Sequence, residues 1–306
     1  MTAPSRRWSA DWSRPVEPAT PVVDVLVPTF ERPAELAVTL AGLAAQDDPP
    51  FRVTISDQSD DGSAQHAPAV EAMVRVLRAQ GREVRVLQHL PRRGLAEHRQ
   101  FLLGSADADQ VLFLDDDVWL EPGTLTRMSD ALDRLGCGFV GNAPMGLSFL
   151  DDRRPHHQAP FEPWEGPVLP ERLRDDSPQI ARASRHGAAN LVHVAERVQV
   201  PRGGWLAYKI AWIGACTLFR RSALLESGGF DFWHRLPPAH AGEDVAAQWR
   251  VMELHGAAGL LPSGAVHLEA PTTVPDRTVE ARSVVFAEAL VRTGHAHRSA
   301  GPPLAD

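Results

Sequence analysis

Apolar and polar positions along this chain fall into blocks that predict strand and helix in turn. Val22 to Val27 is a short apolar run closed by Pro28, the pattern of a strand. From Ala34 to Gln46, Leu36, Leu40 and Leu43 recur at helical spacing. Val53-Thr54-Ile55-Ser56 reads as a second strand with Asp57 at its end, followed by a turn at Asp60-Asp61-Gly62-Ser63. Ala69 to Ala79 predicts a second helix and Val84 to Leu87 a third strand. Gly94 opens a helix over about Leu95 to Leu103. The strongest signal comes next: Val111-Leu112-Phe113-Leu114 runs directly into Asp115-Asp116-Asp117. A continuous apolar run of this kind is a strand covered on both faces. Strands alternating with helices predict βαβ units, a mostly parallel sheet and right-handed crossovers. The fold class is α/β.

The pattern is weaker elsewhere. Residues 1–20 carry Trp8, Trp12, Pro15 and Pro18 without a period and read as an extended arm. Residues 145–205 mix prolines, arginines, histidines and acids and read as an irregular insertion, a lid or an acceptor surface. Trp212 to Phe219 predicts another strand, and Arg221 to Glu226 a short helix closed by Gly228-Gly229. Glu243-Asp244 precede a helix to about His255. Val266-His267-Leu268 reads as a late strand and Val279 to Val291 as a last helix.

Three adjacent carboxylates cannot lie inside a buried layer, because unpaired buried charge is too costly. They belong at the strand's C-terminal edge, where an open α/β sheet binds its ligands. Residues two apart on a strand point the same way, so Asp115 and Asp117 are expected to share one target. A cation as target lowers their mutual repulsion, and a hard ion such as Mg²⁺ or Mn²⁺ suits carboxylate oxygens and leaves room for phosphate. The plain alternative is a solvated acidic turn or helix N-cap. Asp57 also ends a strand, which places its carboxylate on the same sheet edge as Asp115.

The 306 residues suffice for one large domain or two. A net charge of -8 argues against nucleic acid held by bulk charge, and local arginines with a metal still allow an anionic substrate. Two cysteines, Cys137 and Cys216, make no disulfide framework and suit a reducing cytosol. No apolar run is long enough to span a bilayer, and the N-terminus lacks a signal-peptide core, so a cytoplasmic protein with no membrane span is expected.

The order of these motifs resembles the inverting family 2 glycosyltransferases with the GT-A fold. The resemblance runs from Val22 to His267. Val25 through Pro33 looks like that family's first strand and loop, and Ile55 through Ser63 like its nucleotide-binding turn. Gly94 through Arg99 is similar to its G-x-x-x-A-R-N helix, with His98 and Gln100 departing from the pattern. Leu114 through Asp117 matches the D-x-D element, Phe219-Arg220-Arg221 with Gly228 to Asp231 the acceptor-side segment, and Gly242-Glu243-Asp244 the G-E-D that supplies a base. The resemblance implies a GT-A (Rossmann-like) sheet flanked by helices with an acceptor-side subregion. It divides the chain into an arm (1–20), a nucleotide-sugar-binding half (21–144), an acceptor-binding and catalytic half (145–275) and a C-terminal helix and tail (276–306).

It also implies roles. Nucleotide-sugar contacts fall to Pro28, Thr29, Phe30, Glu31 and Arg32, to Asp57 (on the nucleobase) and Ser59, to Arg93, Gly94 and Arg99, and to Asp115 and Asp116. Asp117, with Asp115 and His267, is implied as the Mn²⁺ or Mg²⁺ site. Asp244 is the candidate general base, Glu243 orients an acceptor hydroxyl, and Trp212 and Gly214 join Glu243 on the acceptor side. Each residue has a plainer alternative. Asp57 can simply cap its turn, Asp60 and Asp61 shape the loop, and acids such as Glu243 and Asp244 favour any helix N-terminus. His267 can be a satisfied structural histidine, and Arg93 and Arg99 merely exposed. Trp205, Trp212 and Trp233 can serve as sugar platforms or as core.

The expected activity is metal-dependent sugar transfer, UDP-sugar favoured, to a hydroxyl on a small molecule, glycan or lipid-linked acceptor. A sugar-phosphate nucleotidyltransferase is opposed by the glycine-free loop Pro28 to Pro33. A non-catalytic nucleotide-sugar-binding protein is opposed by the intact acids.

Overall fold

The computed structural model describes residues 9–14, 16–159, 161–202 and 204–287. The first βαβ units are β1 (Val23–Thr29), α1 (Pro33–Ala44), β2 (Phe51–Asp57), α2 (Pro68–Ala79), β3 (Val84–Gln88), α3 (Leu95–Gly104) and β4 (Gln110–Leu114). β5 (Val118–Leu120), α4 (Thr124–Leu135) and β6 (Phe139–Gly141) follow. Two short helices, α5 (Pro155–Gln158) and α6 (Asn190–Ala195), lie in the irregular stretch before β7 (Leu206–Tyr208). The chain continues through β8 (Cys216–Arg220), α7 (Arg221–Glu226), α8 (Glu243–His255), β9 (Ala257–Leu261) and β10 (Ala265–His267).

Eight strands form one sheet in the order β3-β2-β1-β4-β8-β6-β9-β7, and β10 pairs with β5 in a separate ribbon. β1 is parallel to β2 and β4, while β8 runs antiparallel between β4 and β6. Every residue of β1, β2 and β4 is buried, as expected of strands covered on both faces. Successive side chains enter opposite layers. Val25, Val27, Leu112 and Leu114 pack with α1 and α4 residues such as Leu40 and Met128. Leu26, Val111 and Phe113 pack on the other face with Leu102 of α3, Phe219 and Trp249 of α8.

Several expectations need correction. The strand predicted over Trp212 to Phe219 begins only at Cys216. Residues 9–13 of the expected arm form a 3₁₀ turn with no buried residue, and Trp12 is 47% exposed; Trp8 lies outside the described residues. Of the helix expected over 279–291, residues 281–287 are helical, Val279 lies in a bend and Glu280 bridges to Ala241, and 288–291 lie outside the described residues. No helix among the described residues is long and apolar enough to cross a membrane.

Candidate active site

The C-terminal ends of β1 and β4, the turn entering β8 and the N-terminus of α8 surround a cleft of about 1000 Å³. Such a volume holds a nucleotide-sized ligand with space to spare.

The three acids meet two different arginines. β4 stops at Leu114, so Asp115 to Asp117 form a turn and not a strand extension. The strand alternation that would set Asp115 and Asp117 on one face therefore ends before them. Asp116 and Asp117 share Arg32 instead: its Nη1 lies 3.1 Å from Asp116 Oδ1 and 2.8 Å from Asp117 Oδ2. The Thr29 hydroxyl donates to Asp116 Oδ2 at 2.7 Å, and burial pushes the Asp116 carboxyl up to about 6. Asp117 is also raised, by burial first and then by the charge of Asp115. Asp115 faces Arg99, whose Nη2 lies 2.9 Å from its Oδ1.

Arg99 is buried rather than exposed, and two of its guanidinium nitrogens are engaged. Its Nε donates to Glu243 Oε1 at 3.0 Å, so one buried guanidinium ties Asp115 to the first turn of α8. Glu243 is thereby turned onto Arg99. Its neighbour Asp244 accepts the Val245 N–H at 2.8 Å. The other Asp244 oxygen, Oδ2, faces Gly214, where a β-carbon would stand 3.5 Å away. Burial, and next the Glu243 charge, push the Asp244 carboxyl up to about 7. The two sides of the cleft are also pinned by His240. Its Nε2 accepts the Ala96 N–H of α3 at 3.1 Å, while Nδ1 donates to Pro237 O at 2.7 Å. Gly94 at φ +102° is required here: a β-carbon would lie 2.5 Å from the His240 ring and 2.8 Å from Pro238 O.

Two donors suit a cation. His267 Nε2 lies 3.8 Å from Asp117 Oδ2, because β10 pairs His267 with Val118 of β5. Among the described residues no three His, Cys, Asp or Glu side chains converge on a metal position. Mg²⁺ and similar ions commonly use one or two protein ligands and complete their shell with phosphate and water. The donor set therefore fits an ion held jointly with a diphosphate. Asp115, engaged by Arg99, contributes least to it. His267 Nδ1 accepts the Glu269 N–H at 2.7 Å, which assigns the proton of a neutral ring to Nε2.

At the end of β2, Asp57 is fully buried and its oxygens accept the Ser59 and Gln65 N–H groups at 2.8 and 3.0 Å. Its carboxylate shapes its own loop. Ser59 Oγ accepts the Glu31 N–H at 2.9 Å and ties the β1 loop to it. Sequence reasoning missed Gln58, which lines the cleft and whose buried Nε2 has no protein partner. It also missed Arg92, which stacks 3.5 Å over the Phe30 ring, whereas Arg93 is exposed and does not line the cleft. Asp57→Ala is expected to lower the thermal midpoint, since each buried N–H left without an acceptor costs about 1–3 kcal/mol. Uridine affinity should fall with it as the loop slackens. An unchanged midpoint with lost uridine affinity, by calorimetry, would put the carboxylate on the base instead.

On the far side, Trp212 and Gly214 line the cleft, and Arg282 lies 5.7 Å over the Trp212 ring. Trp205 and Trp233 do not line it: Trp205 Nε1 donates to Asp130 and Trp233 packs against the core. A segment from Ala270 to Arg277 lies along the mouth, a contribution invisible in its polar, aperiodic sequence. Among the described residues, those other than glycine with positive φ are Glu31, Ala188, Ala215 and Glu269. Ala215 lines the cleft and the other three each adjoin a lining residue. Ala215, at φ +67°, centres a tight turn in which Cys216 N–H reaches Gly214 O at 2.8 Å, and its own carbonyl accepts the Asp115 N–H at 2.8 Å.

Comparisons with known proteins agree with this architecture. Galactofuranosyltransferase GlfT2 of Mycolicibacterium smegmatis is 30% identical over 126 residues, covering 39% of this chain and 19% of that protein. An uncharacterised protein of Mycobacterium tuberculosis is 26% identical over 235 residues, 72% of this chain and 63% of its own. The chain thus spans less than two thirds of either relative. The structure of Staphylococcus aureus TarS 1–349 in complex with UDP-GlcNAc superposes with a TM-score of 0.53 at 16% identity, covering 82% of this chain and 60% of that one. A second structure of TarS 1–349 gives 0.50 at 16% identity, with 91% and 66% covered. At such identity the likeness shows the fold alone. The family model described as Glycosyl transferase family 2 matches residues 24–198, more than half of the sequence, and the chain belongs to that family.

Proposed function

We propose that this protein is an inverting glycosyltransferase that moves a sugar from a nucleoside-diphosphate sugar, UDP favoured, to a hydroxyl acceptor with the help of Mn²⁺ or Mg²⁺. The observation that carries this reading is the placing of Asp244. Its carboxyl, raised to about 7, opens beside Gly214 into the cleft that Asp115 to Asp117 also line. A general base works best with a pKa near the working pH.

In this reading the half up to residue 144 holds the donor and the half from 145 to 275 the acceptor. Gln58, Phe30 and Arg92 receive the nucleoside. Asp117 and His267 would hold the cation, which would supply positive charge for the departing diphosphate. Asp115, fixed by Arg99, takes a sugar or ribose hydroxyl. Asp244 accepts the proton of the acceptor hydroxyl as that oxygen attacks the anomeric carbon and the bond to the diphosphate breaks. A single displacement inverts the centre. UDP is supported by the fold neighbour TarS, which was solved with UDP-GlcNAc. Two buried, unpaired cysteines suit a cytoplasmic location.

The test is transfer itself, followed across pH. Only ionised Asp244 accepts a proton, and its pKa is raised, so kcat/KM should climb with pH and level off above about 7. Below that value it should drop about tenfold per pH unit. An α-linked donor should yield a β-linked product, read from the anomeric proton coupling. A retained linkage, or a flat profile from pH 5 to 8, would overturn the assignment.

A further inference from the structure

Arg32 makes contacts beyond the acids. Nη1 bridges Asp116 and Asp117, while Nη2 donates to the carbonyl of Pro271. Its side chain is only 13% exposed. Pro271 belongs to the stretch 268–280, of which Ala270, Thr272 and Val274 are among the residues lining the cleft. The root of that stretch is fixed to the same acid, since Leu268 N–H reaches Asp117 O at 2.8 Å. One residue on, Glu269 N–H holds His267 Nδ1, leaving the Nε2 that faces Asp117 with the proton of the neutral ring.

These contacts meet at one point. The carboxylate oxygen best placed for a metal ion, Asp117 Oδ2, already has a cation on it. The second candidate ligand is held in the tautomer that cannot bind a metal through Nε2. The ring's tautomer depends on Glu269 and the second prong of the same guanidinium is held by Pro271, so the strap 268–280 touches both. We propose that Arg32 is an internal counter-ion that competes with the divalent cation for Asp117 and latches the strap through Pro271, so that cation binding and strap release are one coupled event. A divalent ion arriving with a diphosphate displaces the guanidinium from Asp117. The Pro271 contact is lost with it, and the freed strap lets His267 turn its other tautomer toward the ion. Such coupling is reciprocal: the factor by which the ion loosens the strap equals the factor by which loosening the strap tightens the ion. The proposal rests on the reading of Asp117 as a cation ligand.

The strap carries its own reporter. Arg277 is exposed within it, and trypsin cleaves after arginine only where the backbone can open. The full chain, free of nucleotide, is digested lightly, and the product ending at Arg277 is timed by mass spectrometry. Mn²⁺ binding is followed in parallel by the loss of the free-ion electron paramagnetic resonance signal.

In the native protein, saturating Mn²⁺ should speed that cleavage about tenfold, inside the usual span of coupled sites. Arg32→Gln should cleave about as fast without metal as the native protein does with it, and should bind Mn²⁺ about tenfold more tightly. Arg32→Lys separates the two roles. It keeps a positive charge on the acids but lacks the second prong of the guanidinium. Mn²⁺ affinity should rise less than in the glutamine variant, because the ammonium still sits on the acids, while cleavage is fast. Cleavage that ignores Mn²⁺ in the native protein, or a lysine variant that matches the glutamine variant in both readouts, overturns the latch. If the native protein and Arg32→Gln bind Mn²⁺ equally well, the metal assignment stands and the competition fails. If neither binds it, the assignment of Asp117 itself fails and the latch with it.

Discussion

Asp244→Asn is expected to lower turnover by about 10²–10⁴-fold, the span that follows loss of a general base. Asparagine keeps the shape and nearly the volume of the side chain, and the Val245 N–H retains an oxygen acceptor. The substitution removes only the capacity to take a proton. Donor affinity should hardly change, because Asp244 opens beside Gly214, whereas the proposed nucleoside contacts are at Gln58, Phe30 and Arg92. The rise of rate with pH should vanish, since the group that titrates is gone. Steady-state kinetics with donor and acceptor varied separately would show this as a fall in kcat with KM for the donor intact. Native turnover in the variant would remove Asp244 from the mechanism.

Arg99→Met should have the largest effect on the fold. Arg99 and Glu243 both have side chains only 5% exposed, and Asp115 shares the same guanidinium. Removing one member of a buried ion pair costs about 3–5 kcal/mol, because the remaining charge stays in the interior. Urea unfolding should register a loss of that order. Adding Glu243→Gln should restore part of it by removing the stranded charge. The kinetic consequence is separate. Arg99 pulls the Asp244 carboxyl down against the upward push of burial and Glu243. Without the arginine that carboxyl rises further, so the acid limb of the pH profile should move above 7. Arg99→Lys should recover charge but not the two-pronged bridge, and so only part of each effect. A normal profile in a folded Arg99→Met protein would reduce the arginine to packing.

The first half of the fold is legible in the chain because each element there carries its own period. Leu36, Leu40 and Leu43 mark α1, and the runs at Val23 and Val111 mark strands buried on both faces. Among the later strands β8 and β10 are legible in part, and β5, β6, β7 and β9 are not. β9 reads Ala257-Ala258-Gly259-Leu260-Leu261, with small residues that bury completely yet give little hydrophobic signal. A side chain at Gly259 would strike the Tyr208 ring at 2.4 Å, so the smallness is demanded by a neighbour about fifty residues away in sequence. β5 and β6 are three residues each, whereas α4 does carry a helical period in Leu125, Met128 and Leu132 that sequence reasoning missed.

At the site, the identity of the acids was legible and their partners were not. Asp115 to Asp117 and Glu243-Asp244 declare themselves by position. That Arg32 meets Asp117, and Arg99 meets Glu243, depends on sequence separations of 85 and 144 residues. No local spacing encodes such pairings. Asp57 and Gln58 show the same limit at closer range: the residue that fits the motif turns into its loop, and the one beside it lines the cleft.

The backbone geometry around the cleft has a consequence for engineering. Glu31, Ala188, Ala215 and Glu269 hold left-handed conformations that cost side-chain-bearing residues of order 1–3 kcal/mol each. Any search for hardier variants that ranks positions by backbone comfort will nominate these four early, with glycine as the suggested replacement. Ala215 lines the cleft and the other three each adjoin a residue that does. The most tempting sites for thermostabilisation are therefore those where a gain in melting temperature trades most directly against turnover. A library meant to harden this enzyme is better spent on the far edge of the sheet, around β3 and α2.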